Sequence, residues 1–145
     1  MRFSQANEDC QRASNHQPPS SERSQAALRL KQRFPKSVRL RTRQEFRRLQ
    51  REGKRLQGLF LVFQIASENF NCPRLGITVS KQFGSAVSRN LFKRRIREVF
   101  RREKHRLPPG LKVHVSPRHG AGQPTLAQVK NDFSLVIDTV KSLIN

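Results

Sequence analysis

The apolar positions of the chain change period several times along its length. Up to about residue 30 the sequence is rich in Ser, Gln, Asn and Pro, and no apolar period appears before Ala26, Ala27, Leu28 and Leu30. Such a stretch cannot bury enough apolar surface to offset its ordering entropy, so residues 1–30 are expected to be a flexible basic and polar tail and residues 31–145 a single domain. A first helix is predicted near residues 43–52: Thr42 and Glu45 match a T-x-x-E capping box, and Gly53 stands where a left-handed C-terminal cap belongs. Phe46 and Leu49, three apart, share one face of it and are framed by Arg43, Arg47, Arg48 and Arg51.

From Leu56 to Ala66 the run LQGLFLVFQIA reads as a strand, with Leu59, Leu61, Phe63 and Ile65 on one face and Phe60, Val62 and Gln64 on the other. Leu75, Ile77 and Val79 alternate with Arg74, Thr78 and Ser80, the pattern of a half-buried strand expected to pair with the preceding one. After Gly84 a long helix is predicted from about Ala86 to Arg106, stopped by Leu107-Pro108-Pro109-Gly110. Phe92, Ile96, Val99 and Phe100 form its core face. On an ideal helix of about 100° per residue, Asn90, Lys93, Arg94, Arg97 and Arg101 gather on a different face as a phosphate-binding ridge. Leu111, Val113 and Val115 make a further strand, and a last helix follows a second capping box, Thr125 with Gln128, carrying Leu126, Val129, Phe133, Val136, Ile137, Val140 and Leu143 at helical spacing. The fold class is therefore an α/β (α+β) two-layer sandwich: a small mixed sheet of about four strands with helices packed on it, in the order α-β-β-(β)-α-β-α.

Charge narrows the function. Thirty Lys and Arg against ten Asp and Glu give a formal net charge of +20, a surplus that repels itself unless a polyanion neutralises it. Nucleic acid is the expected partner, ahead of an anionic membrane. No run of about 18 apolar residues exists to span a bilayer, and no apolar core of a secretory signal is present, so a cytoplasmic protein without a membrane is expected. Cys10 and Cys72 have no CxxC or Cys/His companion spacing and read as ordinary reduced thiols; His16, His105, His114 and His119 read as solvent-facing or phosphate-side, without ligand or nucleophile spacing. The cations cluster in residues 29–55 and 81–106. If the first helix and the long helix flank one sheet, they make a cationic cleft with Phe46 and Phe63 on its floor, suited to an unpaired strand whose bases stack on aromatic rings. Arg12, Arg23 and Arg29 could add a basic arm.

Residues 80–100 read SKQFGSAVSRNLFKRRIREVF, and here the chain resembles the bacterial ribonuclease P protein family, whose signature is K-x-x-G-x-A-V-x-R-N-x-x-K-R-x-x-R-x-x-F. The matching positions are Lys81, Gly84, Ala86, Val87, Arg89, Asn90, Lys93, Arg94, Arg97 and Phe100. Leu40–Phe46 is similar to the family's opening helix and Leu59–Ile65 to its aromatic strand, and the resemblance covers about residues 33–145. Two positions depart from the pattern: Leu91 replaces a usual arginine after the Asn, and Gln50 replaces a frequent second aromatic one turn after Phe46.

The resemblance implies the non-catalytic protein subunit of a ribonucleoprotein endoribonuclease that removes the 5′ leader of precursor tRNA, with hydrolysis carried by the RNA subunit and its Mg²⁺. It further implies that Lys81, Arg89, Asn90, Lys93, Arg94, Arg97 and Arg101 contact RNA, that Phe46, Phe63, Arg43 and Arg47 line the leader cleft, and that no obligatory protein partner is needed. Two rivals remain at this point. One is a ribosomal or general RNA-binding protein, which does not explain the R-N-x-x-K-R spacing. The other is a protein-only nuclease using Asp132 or Glu98.

Overall fold

The computed structural model describes residues 34–144; the tail expectation for residues 1–30, the basic arm, Cys10 and His16 lie outside them. The predicted order of elements is observed. Helix α1 is Arg43–Glu52, strands β1, β2 and β3 are Lys54–Gln57, Leu61–Ser67 and Arg74–Ile77, helix α2 is Ala86–Glu103, strand β4 is Leu111–Pro117 and helix α3 is Leu126–Ile144. The strands form one four-stranded mixed sheet in the order β1-β2-β4-β3.

Both capping boxes form. The Glu45 N–H donates to Thr42 Oγ1 at 3.2 Å while the Thr42 N–H donates to Glu45 Oε2 at 3.0 Å. Ahead of α3, the Thr125 N–H reaches Gln128 Oε1 at 2.8 Å and the Gln128 N–H reaches Thr125 Oγ1 at 3.3 Å. α2 runs nearly as predicted, its last turn tightening into a 3-10 turn at Lys104–Arg106 before the prolines.

Several expectations are corrected. The single strand expected over Leu56–Ala66 is an antiparallel hairpin, with Leu56 opposite Phe63 and Gln57 opposite Val62, turning through residues 58–60. β3 does not pair with β2; it lies parallel to β4, Leu75 beside Val113 and Ile77 beside Val115. The reason is that β4, returning after α2, is the most buried strand and inserts between them, antiparallel to β2. Gly53 is extended at φ −75° rather than left-handed. A side chain there would meet the Leu49 carbonyl at 2.2 Å, so close approach of two backbones explains the glycine. Cys72, read as a reduced thiol, is disulfide-bonded.

The hydrophobic core fills one face of the sheet. Leu61, Phe63 and Ile65 of β2, Leu75 of β3 and Leu111, Val113 and Val115 of β4 pack with Phe92, Ile96 and Phe100 of α2 and Phe133, Val136 and Ile137 of α3. Phe63 and Phe133 meet edge to face, centroids 5.1 Å apart. α1 lies across the opposite face, where Phe46 reaches over Gly76. A Cβ at residue 76 would stand 2.5 Å from the Phe46 ring and 2.8 Å from Leu40, so only glycine lets the helix settle there.

One carboxylate ties the ends of the domain together. Asp132 of α3, almost wholly buried, accepts three backbone N–H groups of the β1–β2 turn: Leu59 at 3.2 Å, Phe60 at 2.8 Å and Leu61 at 3.0 Å. Glu98, the other carboxylate of the nuclease rival, is held by Arg101 and Arg102. Each thus has a structural duty. Replacing Asp132→Ala leaves the turn's N–H groups unpaired and is expected to lower stability by about 2–4 kcal/mol, read as a shift in guanidinium unfolding midpoint. A change under about 0.5 kcal/mol would show that the cap does not hold the hairpin.

Candidate nucleic-acid interface

The ridge follows from how α2 docks. Its core face fixes the rotation of the helix, and the helix begins at Ser85, whose hydroxyl accepts the Ser88 N–H at 3.3 Å. With that rotation set, Asn90, Arg94 and Arg97 are exposed, and Arg89 and Lys93 are half-buried at the ridge's edge. None of Lys93, Arg94 and Arg97 has a carboxylate within ion-pair distance among the described residues. Lys81 is also exposed, in the 3-10 turn Lys81–Phe83 just ahead of the helix.

Arg101 differs from the others. It is half-buried against Glu98, which also binds Arg102 at 2.7 Å. Burial acts to raise the Glu98 carboxyl, but Arg101 and Arg102 outweigh it and hold it below the ordinary value. The charge of Arg101 is therefore largely answered inside the protein. Arg95, off the ridge, donates to the Pro124 carbonyl and anchors the loop leading to α3. Leu91 is exposed on a side of α2 away from the core.

The expected cleft is rearranged. α1 and α2 lie on opposite faces of the sheet, so Phe46 and Phe63 do not share a floor. Phe63 has no exposed surface and is a core residue, which removes it as a stacking platform. The error is one of face: strand side chains alternate, and Phe63 belongs to the buried set. Phe46 is half-buried on the other face, its ring edge to face with His114 at 5.4 Å. Arg43 and Arg47 are exposed along α1.

The floor beside Phe46 is built instead from the alternate positions of β2, β3 and β4. His114 is 3% exposed, which corrects its reading as a solvent-facing histidine. Its Nδ1 lies 2.9 Å from Gln64 Oε1 and its Nε2 2.8 Å from Thr78 Oγ1. The signal was available: with Leu111, Val113 and Val115 committed to the core, residue 114 had to face the other way. Next along the face, Arg74 stacks 3.8 Å above the Phe70 ring and bonds Glu45 at 3.5 Å, and Lys112 bonds Glu68 at 2.7 Å. Burial works to raise the Glu45 carboxyl, but the N–H groups of Thr42 and Arg41 bring it below the ordinary value. At the N-terminal end of α1 a concavity of about 650 Å³ is lined by Lys36, Arg39 and Arg41 together with the paired Arg74 and Glu45, a surface of net positive charge. No described helix is long and apolar enough to cross a membrane.

Comparison with known proteins points one way. The Ribonuclease P family profile matches residues 34–141. The ribonuclease P protein component of Chlamydia felis is 41% identical over 102 residues, covering 70% of this chain and 72% of that protein. The Thermotoga maritima component is 41% identical over 85 residues, covering 59% and 73%. Among solved structures, the Staphylococcus aureus RNase P protein aligns with a TM-score of 0.66 at 31% identity, over 73% of this chain and 97% of that one. The Thermotoga maritima protein aligns at 0.64 and 33% identity, over 70% and 96%.

Burial pushes the His114 imidazole below its ordinary value of 6.5. As pH falls through about 6.5 the unfolded chain takes up a proton there and the folded chain does not. The stabilisation from neutral His114 is therefore complete above about 6.5 and is lost progressively below it. Thermal melts between pH 7.5 and 5 are expected to show that decline, and His114→Val to flatten it. An equal slope in the variant would place its origin elsewhere.

Proposed function

The chain belongs to the ribonuclease P protein family, a subunit of a ribonucleoprotein endoribonuclease, and on that premise we propose that α2 docks on the catalytic RNA subunit while the α1 face receives the single-stranded 5′ leader of precursor tRNA. The observation that carries the reading is the exposed, unneutralised ridge of Asn90, Arg94 and Arg97, edged by Lys93 and Arg89. Lys and Arg on such a ridge release the cations condensed on the phosphates that they neutralise, which makes the affinity salt-dependent. Asn90 adds a group that both donates and accepts, where its neighbours only donate.

The leader's unpaired bases would stack against Phe46, with Arg43 and Arg47 close to its phosphates. Hydrolysis belongs to the RNA in this reading, and so does Mg²⁺. Among the described residues no three His, Cys, Asp or Glu side chains come together as a metal cluster. The protein's contribution is to screen repulsion between two polyanions, which lets processing proceed at lower Mg²⁺.

Two outcomes test this. Arg94→Ala combined with Arg97→Ala is expected to weaken binding to the catalytic RNA and to reduce the slope of log affinity against log salt by about 1–2, with the melting temperature unchanged. An unaltered slope would remove the ridge from the interface. Phe46→Ala is expected to weaken precursor tRNA by about 1–3 kcal/mol relative to mature tRNA in the reconstituted holoenzyme. Equal losses for both RNAs would make Phe46 a packing residue.

A further inference from the structure

The polar face of the sheet holds a hydrogen-bonded chain with a free end. His114 is enclosed, yet both its ring nitrogens are engaged, Nδ1 with Gln64 Oε1 at 2.9 Å and Nε2 with Thr78 Oγ1 at 2.8 Å. A carbonyl oxygen can only accept, so Nδ1 carries the proton and donates to Gln64. Nε2 is then bare and accepts the Thr78 hydroxyl. Burial favours this neutral imidazole. The acceptor half of the Gln64 amide is thereby used inside the protein, whereas its NH₂ group has no partner among the described residues. Gln64 is partly exposed and stands opposite the exposed Arg55 of β1.

Resting on the leader-binding reading, we propose that Gln64 contacts a leader base through its amide N–H groups, and that His114, backed by Thr78, is the positioning residue that fixes the amide in this orientation. The consequence is a particular kind of selectivity. A free glutamine reads adenine with both halves of its amide, donating to N7 and accepting from N6. With the oxygen already committed to His114, that mode is closed. What remains is a donor, and each of the four bases offers an acceptor on an edge that base pairing would otherwise occupy or hide. The contact favours an unpaired nucleotide over a paired one without favouring a sequence, and Arg55 is placed to meet the adjoining phosphate.

The test uses holoenzyme reconstituted with a bacterial ribonuclease P RNA and precursor tRNAs varied one leader position at a time. Each position carries all four bases in turn, or difluorotoluene, a thymine isostere that keeps the stacking face but is a very poor acceptor. The unmodified protein is expected to bind the four natural bases within about 3-fold at the contacted position, and difluorotoluene there roughly 3- to 10-fold more weakly. Gln64→Leu should erase the difluorotoluene difference. His114→Val, which releases the amide oxygen, should make adenosine the best base at that position. Thr78→Val, a change at an exposed site that unpins the tautomer, should shift the order the same way and serves if the buried variant does not fold. A difluorotoluene difference that survives in Gln64→Leu, or that occurs at no leader position, overturns the Gln64 contact. An unchanged base order in both the His114 and Thr78 variants overturns the positioning role. Equal binding of precursor and mature tRNA by the unmodified holoenzyme is a separate result, the failure of the leader-binding reading itself.

Discussion

Side chains on a strand alternate between its two faces, and in β2 and β4 that alternation divides the molecule. Leu61, Phe63 and Ile65 together with Leu111, Val113 and Val115 are given to the core. Gln64, Lys112 and His114, one residue out of step, are given to the opposite face. A slip of one residue in either strand would exchange the two sets, exposing the core and burying the polar floor. The position of α1 depends on the same division, because its Phe46 rests on His114 and on the gap left by Gly76. The orientation of the basic ridge depends on it as well, since α2 is rotated by the apolar face it must bury.

Local signals made much of this legible in the sequence. The two capping boxes, the prolines after α2 and the helical spacing of Phe92, Ile96, Val99 and Phe100 each report on a few neighbouring residues, and each was met. What was missed is non-local. The pairing of β3 with β4 is decided by a strand that arrives some thirty-five residues later, and the hairpin within residues 56–66 by a turn whose N–H groups are satisfied from α3. Phe63 was misassigned because an aromatic residue in a basic protein suggests stacking, while its face could be known only from the partner strand. His114 was passed over for the opposite reason: residue type alone did not show that its neighbours were committed to the core.

Charge count gives a poor measure of which cations can meet a polyanion. Arg74 and Lys112 are bound to Glu45 and Glu68, Arg101 and Arg102 to Glu98, and Arg106 to Glu103 and Asp138. Arg95 is fastened to a carbonyl. These groups organise the fold, and several lie in the same sequence run as the ridge. Rotation around α2 separates the exposed Arg94 and Arg97 from Arg95 and Arg102, whereas Arg101 lies on nearly the same side as Arg94 and differs in having Glu98 beside it. The more exposed of these pairs, such as Arg102 with Glu98, add little to stability, but together the pairs set which guanidinium groups remain unanswered.

The cap that Asp132 places on the β1–β2 turn spans more than seventy residues of sequence. During synthesis the hairpin leaves the ribosome long before α3 exists, and until then its turn can bond only to water. The turn that ends the edge strand carrying Arg55 gains its carboxylate only when α3 docks. A chain without α3 would leave the three N–H groups of that turn without their carboxylate, on the edge of the sheet that carries Arg55.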